Sequence, residues 1–412
     1  MKRIYRREEY FNKIKGFIED DSMIKVITGI RRCGKSYFLK SIIEYLKEQG
    51  VDDQDIISIE LDKRKYRNIK KADELEKVID EKIGEDNHFK YLFLDEIQQV
   101  KDFEPLINSY REEENKSIFI TGSNSYLLSG ELVTKLTGRY VEIEMYPLNF
   151  FEYVDMKRFL GKEINTNIYE EFNEYLRNGG FPGALTYETF EDRMRYTENV
   201  IHQIWDKDIK THNKIKDIEL FELVQKFIIN NFGSVISVKS IYDYLTKKEK
   251  IKIDRRTIKR YIDILENAKI IYSCDLFDIK SKKVLKGERK YYLADLSIYY
   301  ANNTDNRINY GPTLENAMYI YLRSKDYKVS VGYIGKLECD FITRYAFDEY
   351  AYLQISMTIM NSKKTEDREF APLESIPDNY PKYLFTMDTL KQRRNGIIHD
   401  NIVDFMYKNS KI

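Results

Sequence analysis

Apolar residues recur with two different periods over the first third of the chain. Ile4, Phe11, Ile14, Phe17 and Ile18 fall at helical spacing and predict a helix over residues 4–18. Short, continuous apolar runs follow at Ile24–Thr28, Ile56–Leu61, Tyr91–Leu94 and Ser117–Thr121. Runs of this kind, rich in β-branched residues and bounded by polar ones, read as strands buried on both faces. Helical patterns separate them: Tyr37–Leu46, then Leu75, Val78, Ile79 and Ile83 within the charge-rich residues 63–88, then Leu127, Leu128, Leu132, Val133 and Leu136 up to Gly138. Tyr140–Glu144 reads as a last strand. Strands that alternate with helices predict an α/β layer with a parallel sheet.

The first run leads into Gly29-Ile30-Arg31-Arg32-Cys33-Gly34-Lys35-Ser36, the pattern G-x-x-x-x-G-K-S between a strand and a helix. Gly29 and Gly34 permit backbone angles closed to residues with a Cβ, so that successive N–H groups can turn around a phosphate. Lys35 brings a positive charge to the outer phosphates of ATP, and the Ser36 hydroxyl suits Mg²⁺. A helix N-terminus adds its dipole and free amides. The third run ends in Asp95-Glu96. Asp95 is placed to join Ser36 in the metal shell, and Glu96 to activate water as general base. At the tip of the next strand, Ser123 and Asn124 are candidates to bond the γ-phosphate or the water, Asn124 slightly ahead; an ordinary Gly-Ser-Asn turn is the alternative. Arg139, just before the last strand, is either a finger offered to a neighbouring subunit or a salt-bridged surface residue.

Residues 145–212 read as mainly helical, with Gly179-Gly180-Phe181-Pro182-Gly183 as a break between two helices. The break either lets a helical lid approach the nucleotide or is a plain turn. Residues 213–300 give three helical patterns, the third opened by Asp254 as N-cap. Strands Ile270–Asp275 and Lys290–Asp295 then flank a basic turn with Lys280, Lys282, Lys283, Lys286 and Arg289. This order is that of a winged helix. Arg255, Arg256, Lys259 and Arg260 on the third helix are candidates for DNA contact; a solvated face on a protein-binding winged helix is the alternative.

Residues 301–412 give a helix with Glu315, a strand with Asp340 and a strand ending at Gln354-Ile355-Ser356. A helix Glu, a strand Asp and a strand with E-x-K is the order of restriction-endonuclease-like metal nucleases. Here the last carboxylate is an amide and the lysine a serine, so the site reads as degenerate and inactive. Lys336, Lys363 and Lys364 are near enough in sequence to supply the missing cation.

Composition narrows the field. The 412 residues are 42% hydrophobic and 14% aromatic, with a formal net charge of zero. That suits several globular domains and excludes a bulk-basic protein, so any nucleic-acid surface is local. Cys33, Cys274 and Cys339 are scattered, as are His88, His202, His212 and His399, which gives no disulfide framework and no zinc spacing. The N-terminus lacks an apolar signal region, and no apolar run approaches membrane-spanning length. A cytoplasmic protein with no membrane partner is expected.

Ile27–Ser36, Leu94-Asp95-Glu96-Ile97-Gln98, Thr121–Ser125 and Leu136-Thr137-Gly138-Arg139 resemble a prokaryotic family of AAA-like P-loop ATPases with an uncharacterised C-terminal region. Gly179-Gly180-Phe181-Pro182 and Trp205-Asp206-Lys207-Asp208-Ile209 resemble it too, so the likeness covers nearly the whole chain. Cys33 stands where that family more usually has serine. The resemblance implies ATP binding and hydrolysis with Mg²⁺. Together these readings give an ATPase domain with helical lid at 1–212, a winged helix at 213–300 and a restriction-endonuclease-like domain at 301–412. The nucleotide set is Gly29, Arg31, Arg32, Cys33, Gly34, Lys35, Ser36, Tyr37 and Ser123, with Glu96, Asn124 and Arg139 as catalytic groups. The expected activity is ATP-driven switching or remodelling coupled to DNA, in a possible homo-oligomer. An ATP-dependent nuclease and an ATP-controlled protein scaffold are the rivals.

Overall fold

The computed structural model describes residues 3–83, 88–123, 138–211, 213–304, 307–345 and 349–412. The chain divides into two compact units, Met1–Met145 and Tyr146–Ile412.

The first unit is an α/β layer. In chain order it contains α1 (Glu8–Ile14), β1 (Ile24–Thr28), α2 (Lys35–Glu48), β2 (Ile56–Glu60), α3 (Ala72–Ile83), β3 (Tyr91–Asp95), α4 (Phe103–Glu112), β4 (Ser117–Thr121) and β5 (Tyr140–Glu144). The five strands form one parallel sheet in the order β2-β3-β4-β1-β5. β1, β3 and β4 are buried at every position, as their continuous apolar runs require, while the edge strands β2 and β5 have partly exposed positions. The order has one consequence for chemistry. β4 lies between β1 and β3, so its C-terminal tip separates the loop after β1 from the acids at the end of β3. The helix expected over 4–18 is α1 followed by a 3₁₀ turn, and the one expected within 63–88 is confined to α3.

The second unit begins with α5 (Phe150–Phe159), α6 (Ile168–Asn178) and α7 (Phe190–Gln203), the last ending in a π-helical turn at Ile204–Ile209. Then come α8 (Ile218–Asn230), β6 (Val235–Ser237), α9 (Val238–Lys247), α10 (Arg255–Asn267), β7 (Ile271–Asp278) and β8 (Lys283–Leu293). The C-terminal part holds α11 (Ser297–Asn302), α12 (Tyr310–Ser324), β9 (Lys328–Ile334), β10 (Leu337–Tyr345), β11 (Glu349–Ile355), α13 (Lys363–Glu374), β12 (Lys382–Thr386), β13 (Arg393–Arg394), β14 (Ile397–Asn401) and α14 (Ile402–Tyr407). The strands of the whole second unit join in one sheet, β13-β14-β12-β11-β10-β9-β7-β8-β6. β9, β10 and β11 form an antiparallel meander, and β11, β12 and β14 run parallel. Phe370 and Leu373 of α13 pack on Cys339, Ile342, Tyr352 and Leu384.

β7 and β8 are longer than their sequence suggests. The basic residues expected in the turn are partly strand: Lys283, Lys286 and Arg289 lie on β8, and only Lys280 and Lys282 remain between the strands. Residues 280–289 are all exposed, so the ribbon has no apolar alternation to reveal it. Gly179 and Gly180 form a packed turn within this unit. Asp295 Oδ2 accepts the Gly180 N–H at 2.7 Å, and a Cβ on Gly179, whose φ is +71°, would lie 1.8 Å from Asp295 Oδ1.

Candidate nucleotide site

The loop after β1 has the backbone that its glycines suggest. Gly29 has φ +142°, Arg32 +70° and Gly34 +111°. A Cβ on Gly29 would lie 2.1 Å from the Met145 carbonyl oxygen, so the position takes no side chain. Gly34 caps α2 in the left-handed conformation, and α2 starts at Lys35. Cys33 is fully buried. Ser36 is half-buried, and Arg32 and Tyr37 are exposed. Lys35 is buried, and its Nζ donates to the Gly29 and Ile30 carbonyl oxygens at 2.9 and 3.2 Å. Its ammonium is therefore held inside the cradle by two backbone acceptors.

Three strand tips converge here. Asp95 closes β3, and Glu96 follows with φ +59°. A non-glycine residue in the left-handed region is uncommon, and such conformations concentrate at functional sites. Thr121, at the end of β4, fixes both acids: its Oγ1 donates to Asp95 Oδ1 at 2.6 Å and accepts the Glu96 N–H at 2.9 Å. Burial pushes the Glu96 carboxyl above the ordinary carboxylate range, against the opposing pull of Lys35 and Arg31. Arg31 is buried and reaches across the site, with its guanidinium 3.8 Å from Glu96, 3.8 Å from Asp62 and 3.3 Å from Ser123 Oγ. Ser123 is buried between them. Asn124 lies outside the described residues.

Several residues of the site carry no motif. Gln98 Nε2 donates to Glu96 Oε2 at 2.5 Å and to Ser123 Oγ at 3.2 Å, and its buried Oε1 has no hydrogen-bond partner among the described residues. Arg7 is buried, donates to the Cys33 carbonyl oxygen at 3.2 Å and stacks over Tyr10. Thr121, Asp62 and Met145 complete the set. Two of these, Thr121 and Gln98, stand within the segments around the motifs; the available signal was Thr121 as the polar end of the buried β4, whereas Gln98 lies in the 3₁₀ turn after Glu96.

Arg139 lies elsewhere. Its carbonyl oxygen accepts the Ile24 N–H, at the N-terminal edge of the sheet, opposite the phosphate loop. At about 3.3 Å per residue, β1 alone separates the two by roughly 16 Å. The half-exposed guanidinium donates to Asn108 Oδ1 at 3.3 Å and lies 3.8 Å from Glu112.

In the second unit, Arg255, Arg256, Lys259 and Arg260 are all exposed on α10. Arg255 stacks over Tyr242, and Arg260 donates to the Lys214 carbonyl oxygen at 2.6 Å. Glu315 and Asp340 are brought together with Gln354, as their spacing suggests. Lys336, Lys363 and Lys364 are exposed, and Lys363 pairs with Glu366 and Asp367. The buried cation beside the carboxylates is Lys290 of β8, which sequence distance concealed.

The donors of the nucleotide site fit a magnesium nucleotide. Ser36 and Asp95 offer hard oxygen ligands, Lys35 a buried ammonium, and the loop a cradle closed to side chains at Gly29. No helix among the described residues is long and apolar enough to cross a membrane.

Comparison with known proteins agrees with this geometry. Residues 21–154 match the model of an AAA domain, and residues 169–307 match that of a domain of unknown function. An uncharacterised protein of Haemophilus influenzae is 34% identical over 411 residues, covering 98% of this chain and 99% of its own length. An uncharacterised protein of Methanocaldococcus jannaschii is 31% identical over 314 residues, 74% of this chain and 67% of the relative. Among solved structures, a Walker-type ATPase of Pyrococcus abyssi superposes with a TM-score of 0.50 at 16% identity, covering 73% of this chain and 96% of that one. The likeness is one of fold: a P-loop, AAA-like α/β core.

Proposed function

Because this chain belongs to one family with the H. influenzae and M. jannaschii proteins and carries an AAA domain, we propose that it binds and hydrolyses ATP to drive a DNA-coupled switch or remodelling step. The observation that carries the proposal is the meeting of the phosphate loop at the tip of β1 with Asp95 and Glu96 at the tip of β3, across Thr121 of β4. Gly29, Gly34, Lys35 and Ser36 hold the phosphates, with Arg31, Arg32, Cys33, Tyr37 and Ser123 around them. Ser36 and Asp95 would hold Mg²⁺, which would neutralise charge on the outer phosphates. Glu96 takes the proton of the attacking water. Thr121 anchors the Glu96 backbone N–H, Gln98 holds the carboxylate, and the buried Gln98 Oε1 offers a further acceptor. Asn124 contributes to the same step, and Arg139 acts on the site of a neighbouring subunit in a homo-oligomer.

Residues 213–300 are read as a winged helix. Three helices followed by the β7–β8 hairpin, with the cations of α10 and of the hairpin exposed, support DNA as its ligand. Residues 301–412 are read as a restriction-endonuclease-like domain without nuclease activity. The β9–β10–β11 meander with Glu315 and Asp340 supports the shape, and the amide of Gln354 supports the inactivity. ATP turnover of the purified chain with and without single-stranded and duplex DNA tests the coupling. Stimulation by DNA is expected. Turnover unmoved by either form would favour a protein-binding scaffold, and cleaved DNA would favour a nuclease.

A further inference from the structure

A buried cluster in the second unit brings charges together from three elements. Glu315 comes from α12, and Glu338 and Asp340 come from β10. The cation among them is Lys290, the first buried residue of β8 after its exposed run. Its Nζ lies 2.9 Å from Glu315 Oε2 and 2.6 Å from Glu338 Oε1, and its side chain is 4% exposed. Tyr292 also donates to Glu315 Oε2, at 3.1 Å. Asp340 is turned to the backbone: its Oδ2 accepts the Ile355 N–H at 2.7 Å. Gln354 bridges onward, accepting the Asp340 N–H at 3.3 Å and donating to Glu369 at 3.5 Å.

An ammonium is strongly hydrated, and burying it is costly unless acceptors replace the water. Burial opposes the charge on Lys290, but Glu315, Asp340 and Glu338 more than restore it and raise its pKa. The carboxyls of Glu315 and Asp340 are pushed up by burial. Among the described residues, no group of three or more His, Cys, Asp or Glu side chains is disposed to hold a metal ion. Yet Glu315, Glu338 and Asp340 offer the hard oxygen atoms that Mg²⁺ or Mn²⁺ takes.

We propose that the Lys290 ammonium does in this cluster what a divalent cation would do, so that the site is filled by the chain's own charge and takes no metal. The proposal rests on the nuclease-like reading of residues 301–412 and gives its inactivity a second cause besides Gln354. Lys290 also ties the basic hairpin to α12 and β10 through two ion pairs, so one residue serves as both plug and brace. A lysine in this place differs from one that positions a water: both of its identified partners are carboxylates, and it neutralises the ligands themselves.

The test uses the full chain without nucleotide and Mn²⁺ as the probe. Wild type should show no tight Mn²⁺ site by electron paramagnetic resonance and no Mn²⁺-dependent rise in melting temperature. Lys290→Met should melt lower, because removing one partner strands buried carboxylates. Mn²⁺ should bind it with a stoichiometry of one and recover much of the lost melting temperature. Adding Asp340→Asn should abolish the response. If Lys290→Met does not fold, Lys290→Gln, whose amide can still donate to the carboxylates, removes the charge while all three carboxylates stay and should show the same gain of Mn²⁺ binding. A tight wild-type site lost in Asp340→Asn would overturn the proposal, as would folded variants that ignore Mn²⁺. Supercoiled DNA in the same samples separates the two readings. Cleavage by wild type contradicts the inactive domain itself, whereas folded variants that ignore Mn²⁺ beside a non-cleaving wild type contradict only the role of Lys290.

Discussion

The side-chain amide of Gln98 holds the carboxylate of Glu96, with Nε2 2.5 Å from Oε2. The same nitrogen reaches Ser123, so one amide links the acid after β3 to the tip of β4. A general base works only within hydrogen-bond reach of the proton it removes, and small misplacements are expensive. Gln98→Ala should lower kcat by about tenfold or more while leaving nucleotide affinity unchanged. Single-turnover kinetics beside an equilibrium titration checks this. Unchanged kcat would remove Gln98 from the site's working parts.

Arg31 acts on the same carboxylate through charge. Burial raises the Glu96 pKa, and Lys35 and Arg31 hold that rise down. A base with a raised pKa is lost as pH falls through that value. Arg31→Ala should therefore raise the Glu96 pKa further and move the acid limb of the kcat profile to higher pH, while Arg31→Lys should move it less. The position of the limb, rather than the amplitude, is the readout. An acid limb in the same place for all three proteins would show that Glu96 is not the group titrating.

Arg139 lies at the sheet edge opposite its own phosphate loop, beside Asn108 and Glu112. A finger role is then possible only toward another subunit. Mixing Arg139→Ala chains, whose loop is intact, with Lys35→Ala chains, whose Arg139 is intact, should restore turnover that neither has alone. Wild-type turnover by Arg139→Ala at every protein concentration would leave the residue as a surface ion-pair partner.

DNA binding by the exposed face of α10 should depend steeply on salt. Each phosphate neutralised contributes roughly −0.9 to the slope of log K against log salt on duplex DNA. Reversing the charges of Arg255, Arg256, Lys259 and Arg260 should flatten that slope. Arg260 already donates to the Lys214 carbonyl oxygen, so its single substitution should matter least. No binding by wild type at low salt would point to a protein ligand for this helix.

What the sequence reveals here is what lies close along the chain. The phosphate loop, Asp95-Glu96 and the strands that carry them are continuous segments, and their apolar runs state the burial of β1, β3 and β4 directly. Thr121 was already the polar end of a buried run. What escapes is made by contacts distant in sequence. Arg7 meets the loop 26 positions later. Lys290 meets Glu315 from a strand whose first part is a solvated ribbon with no period to read. Gly179 leaves no room for a side chain because of Asp295, and Gly180 because of the Leu148 carbonyl oxygen, both far off in sequence. The boundary between the units at Met145–Tyr146 falls just after β5, in a stretch with no run of glycine, proline or charge to announce it.

The most direct measurement compares ATP binding and turnover in wild type, Lys35→Ala and Glu96→Gln. Lys35 belongs to the phosphate cradle and Glu96 to the activation of water, so the two losses should separate. Lys35→Ala is expected to lose binding of a fluorescent ATP analogue, and Glu96→Gln to bind it as wild type does while turnover falls by about a hundredfold or more. Full hydrolysis by Glu96→Gln, or nucleotide binding undiminished in Lys35→Ala, would contradict the site as built from these residues.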